Sequence, residues 1–225
     1  MNEKENFDKK NGTTEELTVK VCCPQCAEES DFVQFRKIDI NKNPELREKI
    51  FSREIFKFKC PECGEEILVL YSCVYFDEEN KHIICLDADA SSSDETAAKL
   101  KIDGFSLRIV KTINGFIEKI AMVEDGVDDR VIELYKLLFE EQFEQQMPNS
   151  ELISVFYAGR NTNDDKLHFY FITTEGENCE TTLTLETYRN LYEHFLSTKF
   201  AKDDFSEIGT EWALDALAGG VLDIN

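Results

Sequence analysis

The chain has 225 residues, of which 42% are hydrophobic and 11% aromatic, and its formal net charge is −21. This composition supplies enough apolar surface for a packed core and excludes a disordered chain, while the length allows one large domain or two small ones. A surface this acidic repels phosphate backbones and anionic lipids, which argues against general nucleic-acid or membrane-surface binding.

Residues 1–18 are polar, charged and without periodicity, which predicts a mobile tail. They lack a basic stretch followed by an apolar one, so no secretory signal is expected. The longest nearly apolar run, 67–76, is far shorter than the roughly 20 residues of a membrane helix. These features favour a cytoplasmic protein, in which cysteines stay reduced and are more often metal ligands than disulfide partners.

Residues 19–147 are predicted to form a β-rich domain followed by helices. A change of alternation between Phe35 and Ile38 predicts a β-bulge, and Asn43-Pro44-Glu45 predicts a helix start with Asn43 as the N-cap. The strand 82–86 is expected to pair with the strand 67–71. The strands predicted in this region are 18–21, 31–40, 55–59, 67–71, 82–86 and 105–109.

Two helices are predicted next, after a loop over 90–95. The first runs over 112–123, because helical spacing of its apolar residues outweighs the hairpin signal of Asn114-Gly115. The second begins at Asp128-Asp129 and ends before Pro148.

Residues 148–225 are predicted to form a C-terminal α+β domain. Its last helix is expected to dock Trp212 as an anchor. The elements predicted here are strands 152–157, 167–173 and 181–185, a helix over 188–196, and the helix around Trp212.

Two copies of one motif carry most of the chemical information: Cys23-Pro24-Gln25-Cys26 and Cys60-Pro61-Glu62-Cys63. Two residues between cysteines let both sulfurs face one ion, and Gly64 supplies the positive φ that completes the second turn; the first turn has Ala27 there, at some cost. Two such motifs, each flanked by predicted strands, indicate one structural Zn²⁺ bound by four thiolates. Unmetallated thiols and a dithiol redox site are the alternatives. The predicted metal ligands are Cys23, Cys26, Cys60 and Cys63.

The other reactive side chains have simpler interpretations. Cys22 would break the ligand spacing, and Cys73, Cys85 and Cys179 are interpreted as small buried residues. Asp128-Asp129-Arg130 is interpreted as a helix cap with a salt bridge. No Ser/His/Asp set, phosphate-binding loop or HExxH pattern occurs, so no catalytic or cofactor-binding residue is predicted and the protein is expected not to be an enzyme.

These motifs resemble the CpXC family, a bacterial group named for its two Cys-Pro-x-Cys motifs, over residues of about 20 to 140. The resemblance implies a zinc-ribbon-like domain and no established activity. Where the family often carries Tyr-His-Asp, this chain has Tyr75-Phe76-Asp77. Further similar segments are 40–50, 54–58, 108–110, 118–120 and 128–133.

The resulting fold class is α+β: a zinc-ribbon-like β-rich N-terminal domain with a four-cysteine site, then helices and a C-terminal α+β segment. The favoured function is a zinc-binding, non-enzymatic module that mediates macromolecular interaction in the bacterial cytoplasm, and the expected partner is a protein. A nucleic-acid-associated zinc ribbon that uses the basic insert 36–59, which has eight basic and four acidic residues, is one alternative. The interpretation favoured over that alternative is that the basic residues pair with this protein's own acidic half. A thiol redox or metal sensor is the third hypothesis, and no oligomeric state is predicted.

Overall fold

A computed structural model describes residues 13–88, 100–176, 178–202 and 206–222. The fold is α+β, as predicted. The chain divides into two compact units, Met1–Ile117 and Glu118–Asn225. The predicted loop 90–95 lies outside the described residues. Among the helices that the structure describes, none is long and apolar enough to cross a membrane.

The strands described in unit 1 are β1 (Glu15–Cys22), β2 (Glu29–Asp39), β3 (Lys57–Lys59), β4 (Glu66–Leu68), β5 (Cys73–Asp77), β6 (His82–Leu86) and β7 (Ser106–Val110). Five of them form a mixed sheet in the order β1-β2-β5-β6-β7, and β3 and β4 form a separate hairpin. The pairs β1/β2 and β5/β6 are antiparallel, whereas β2/β5 and β6/β7 are parallel.

Strand β1 begins at Glu15, inside the stretch that the sequence assigns to a mobile tail; residues 1–12 lie outside the described part. The bulge is confirmed, because Glu15 pairs with Lys37 and Glu16 with Phe35, which leaves Arg36 as the extra residue. The inward face before the bulge carries Phe32, which is 8% exposed, while Val33 is 44% exposed.

The predicted partner of strand 82–86 was wrong. Strand β6 pairs with β5, which the sequence analysis did not assign, and β4 pairs with β3. The reason is that the second cysteine motif closes a tight β3–β4 hairpin, so the residues beyond it are free to join the main sheet. The first part of the predicted strand 55–59 is a 3₁₀ turn, Glu54–Phe56.

The short helix α1 (Leu46–Phe51) exists, but its predicted cap does not. The residue before the helix is Glu45, and it makes no side-chain cap. The side chain of Asn43 donates a hydrogen bond to Glu45 Oε1, at 2.9 Å, instead of accepting one from the helix.

Helix α2 (Ile113–Glu124) is confirmed, and it includes the Asn114-Gly115 pair that could have indicated a hairpin. Within unit 1 its Phe116 is fully buried and makes edge-to-face contacts with Phe56 and Tyr75. Tyr71 packs against Phe56 and Phe32, and its hydroxyl donates to the carbonyl of Ile55 at 3.0 Å. Unit 1 therefore contains a cluster of aromatic rings contributed by different segments of the chain.

Unit 2 contains α3 (Asp129–Gln146), β8 (Leu152–Asn161), β9 (Lys166–Thr173), β10 (Asn178–Thr184), α4 (Leu185–Leu196) and α5 (Thr210–Ala218). The strands form an antiparallel sheet in the order β10-β9-β8. Helix α3 packs against β8 and α5 within this unit. The Trp212 anchor is confirmed by its burial and its edge-to-face contact with Phe195.

Candidate metal centre

The two cysteine motifs lie on hairpin turns of the same construction. The first turn, 23–28, joins β1 to β2, and the second, 60–65, joins β3 to β4. In the first, the amide of Cys23 donates to the carbonyl of Glu28 at 2.9 Å, and the second repeats this bond from Cys60 to Glu65 at 2.8 Å. Each motif thus presents its two thiols from the same backbone shape.

The residue after each second cysteine has a left-handed backbone, as predicted for Gly64. The φ angle of Gly64 is 77° and that of Ala27 is 60°. Both amides donate to the first cysteine of their own motif, at 3.0 Å and 2.9 Å. An alanine in this conformation costs about 1 kcal/mol relative to glycine, so the first turn holds some strain that the second does not.

The four predicted ligands come together. The Sγ atoms of Cys23, Cys26, Cys60 and Cys63 all lie within 4.8 Å of one another. Cys23 and Cys63 are 3.6 Å apart at sulfur, as are Cys26 and Cys60, and none of the four is in a disulfide. A tetrahedral Zn²⁺ with Zn–S bonds of about 2.3 Å would separate its sulfurs by about 3.8 Å. The cluster is therefore compatible with a four-thiolate metal site.

The cluster has a buried side and an exposed side. Cys23 and Cys60 are each 1% exposed, while Cys26 and Cys63 are exposed to solvent. Phe32 on β2 and Phe58 on β3 meet edge to face with ring centroids 6.1 Å apart. These rings pack the two hairpins against each other, so apolar contact helps to bring the four sulfurs together.

The hydrogen bonds around the sulfurs shift their pKa values in opposite directions. The backbone amide of Cys63 lowers the pKa of the Cys60 thiol to about 7. The amide of Glu28 lowers the pKa of Cys26, but partial desolvation and hydrogen bonds with the other three thiols outweigh it and raise that pKa to about 12. Because a metal binds thiolates, protons must leave such a cluster on binding, and metal affinity falls as the pH falls.

The remaining cysteines lie outside this cluster. Cys22 is exposed, and its thiol lies 3.6 Å from the carbonyl of Ala27. Cys73 and Cys85 are buried in the sheet, as predicted, and burial raises the pKa of Cys85 to about 12. Cys179 is half-buried.

Much of the charge on the basic insert 36–59 is engaged within unit 1. Lys59 forms a salt bridge with Glu66 at 2.9 Å, and Lys49 lies 3.7 Å from Glu54. Lys37 is buried with its ammonium 4.8 Å from the ring centroid of Phe76. These contacts give three basic residues of the insert partners within unit 1.

Unit 2 contains a buried chain of charges that was not predicted from the sequence. Lys119 Nζ lies 3.0 Å from Asp129 and 3.0 Å from Glu133, and Lys136 Nζ lies 3.2 Å from Glu133 and 3.1 Å from Glu118. All five side chains are at most 12% exposed. Burial raises the pKa of Glu118, whose carboxylate also accepts the amide of Tyr157 at 2.7 Å. The sequence offers one signal for these buried charges, which is the charged pair 118–119 within the apolar pattern of α2.

The predicted cap and salt bridge at the start of α3 are confirmed. Asp128 caps the helix by accepting the amide of Arg130 at 3.0 Å, and it forms a salt bridge with the Arg130 guanidinium at 2.6 Å. That guanidinium also donates to the carbonyl of Ala201 at 2.9 Å. Asp128 and Arg130 therefore have structural partners at the start of α3, as expected for a helix cap with a salt bridge.

Comparison with known proteins adds one finding. No curated protein and no solved structure matches the chain. The family model described as CpXC protein matches residues 21–136, which is more than half of the chain. The match includes both cysteine motifs and all five residues of the buried charge chain. The chain therefore belongs to the CpXC protein family.

Proposed function

We propose that this protein is a zinc-stabilised, non-enzymatic module whose metal holds two hairpins together. The observation that carries the proposal is the convergence of Cys23, Cys26, Cys60 and Cys63, with all sulfurs within 4.8 Å, from two turns of the same construction. Four thiolates select a soft or borderline ion such as Zn²⁺ over Mg²⁺ or Ca²⁺. They also fill a tetrahedral coordination shell, so the ion has no open position for a substrate.

The metal contributes to folding in this proposal. The β3–β4 hairpin has only three residues in each strand, and a hairpin of that size is not stable alone. Coordination joins it to the β1–β2 hairpin, and the free energy of metal binding becomes free energy of folding.

A module of this kind acts by presenting a surface, and we propose a macromolecular partner in the bacterial cytoplasm. Charge supports a basic partner, because residues 118–225 contain 23 acidic and 8 basic residues, a formal charge of −15. Electrostatic complementarity of this size mainly accelerates association and excludes acidic competitors.

Metal analysis of purified protein, combined with native mass spectrometry, tests the proposal. We expect one zinc per chain in the wild type and in Cys22→Ser, and none in Cys60→Ser. Cys22→Ser is the matched control, because it removes an exposed thiol next to the cluster without removing a ligand. A wild-type protein that keeps its fold and binds no metal would overturn the proposal.

A further inference from the structure

The four cysteines differ in how well solvent reaches them. The second cysteine of each motif, Cys26 or Cys63, is exposed, whereas the first, Cys23 or Cys60, is 1% exposed. A dissolved oxidant therefore meets one sulfur from each hairpin before it meets the other two. Reactivity toward peroxides follows thiolate character and exposure, and coordination to a metal keeps cysteines as thiolates.

The two sulfur contacts of 3.6 Å pair an exposed cysteine with a buried one, and both cross from one hairpin to the other. They are Cys26 with Cys60 and Cys23 with Cys63. A disulfide bond of about 2.05 Å requires each pair to close by only about 1.6 Å. Each exposed sulfur thus has a partner in the opposite hairpin, in position to complete a disulfide.

We propose that the metal centre is also a peroxide-responsive clamp, in which Cys26 and Cys63 are the oxidised sulfurs and Cys60 and Cys23 resolve them as cross-hairpin disulfides. The inference rests on the proposed function, since the metal keeps the thiolates together. Its consequence is that oxidation releases the metal and leaves the two hairpins covalently joined. Disulfides within each motif would instead leave the hairpins unconnected.

The chemistry balances with hydrogen peroxide as the oxidant. The Cys26 thiolate attacks one peroxide oxygen; an S–O bond forms, the O–O bond breaks, and hydroxide leaves. The Cys60 thiolate then attacks the sulfenic sulfur of Cys26; the S–S bond forms, the S–O bond breaks, and a second hydroxide leaves. Two sulfurs have given two electrons to one peroxide. A second peroxide converts Cys63 and Cys23 in the same way, and the ion loses its ligands.

The test treats zinc-loaded, full-length protein with hydrogen peroxide, follows metal release with a chromogenic chelator, and maps disulfides by mass spectrometry without reduction. Trypsin cleaves after Lys20, Arg36, Lys59 and Lys81, which places the two motifs on separate peptides. We expect a linked pair of these peptides, with fragment spectra that assign Cys23–Cys63 and Cys26–Cys60. The same experiment on Cys22→Ser removes the one competing exposed thiol and should give the same pairs.

Disulfides confined to each motif, sulfinic or sulfonic acids without disulfides, or retention of the metal would overturn the inference. Thermal unfolding adds an independent measurement: the oxidised, metal-free protein should melt above the reduced, chelated protein, and an equal or lower Tm would contradict the clamp. Failure of the proposed function is distinguishable, because a protein that never takes up zinc fails before any peroxide is added.

Discussion

Each of the two units of this protein is stabilised internally by different interactions. Unit 1 joins a mixed sheet to a short hairpin through four cysteines and a cluster of aromatic rings. Unit 2 has a continuous apolar core between a three-stranded sheet and its helices, crossed by a chain of buried charges. A hairpin of three-residue strands buries little apolar surface, which is why we propose a metal cross-link for it, whereas a larger apolar core can accommodate costly ionic groups.

Removing the proposed metal should produce the largest difference in stability between the two units. Chelation is expected to remove most of the stability of unit 1, because structural zinc binding contributes about 10–16 kcal/mol in small zinc domains. Hydrogen exchange should show lost amide protection in β1–β4 and retained protection in β8–β10. Equal loss in both sets of strands would mean that the metal supports the whole chain and not one unit.

Breaking the buried charge chain should have the largest effect on unit 2. Lys119→Met leaves Asp129 and Glu133 without their shared ammonium in a buried site, which costs about 3–5 kcal/mol. Urea denaturation followed by Trp212 fluorescence measures the change. The exposed Lys202→Met is the matched control and should alter stability by less than about 0.5 kcal/mol. A similar loss in both variants would show that the buried contacts contribute nothing specific.

The cap of α3 should contribute less. Asp128→Ala removes the bond to the Arg130 amide and the partner of its guanidinium, and we expect a loss of about 1–2 kcal/mol. Asp128→Asn is the informative comparison, since asparagine also caps helices but carries no charge. If Asn is as destabilising as Ala in urea titrations, the ion pair and not the cap is responsible.

The smallest expected effect distinguishes the two cysteine turns. Ala27→Gly should stabilise the zinc-loaded protein by about 1 kcal/mol, and Gly64→Ala should destabilise it by a similar amount, because both positions have positive φ. The double variant should match the wild type in Tm. A loss of stability in Ala27→Gly would indicate that the alanine side chain has a packing role that outweighs its backbone cost.

The sequence predicted features that depend on local patterns. The bulge at Arg36 followed from a change of alternation, the cap of α3 from Asp128, and the sulfur cluster from two repeated motifs. The partner of β6 was not predictable in this way, because the apolar run 67–76 contains a hairpin strand and a sheet strand, and only the closure of the second turn separates them.

The buried charge chain was missed for a related reason. Glu118 and Lys119 are ordinary surface residues by type, and nothing local shows that α3 and β8 cover them. Similarly, Asn43 has the right type and spacing for a cap, but its side chain is already engaged with Thr14 and Glu45. Long-range contacts decided each of these outcomes.

The parallel pairing of β2 with β5 has a consequence for folding kinetics. The connection between these strands, residues 40–72, contains the whole β3–β4 hairpin. Contacts this far apart in sequence form slowly, because the chain loses loop entropy before it gains them. Zinc would attach the middle of this connection to the β1–β2 turn, which reduces the loop entropy that is lost when β2 pairs with β5. We therefore expect the ion to accelerate refolding of the mixed sheet, so that the order of events during synthesis depends on metal supply.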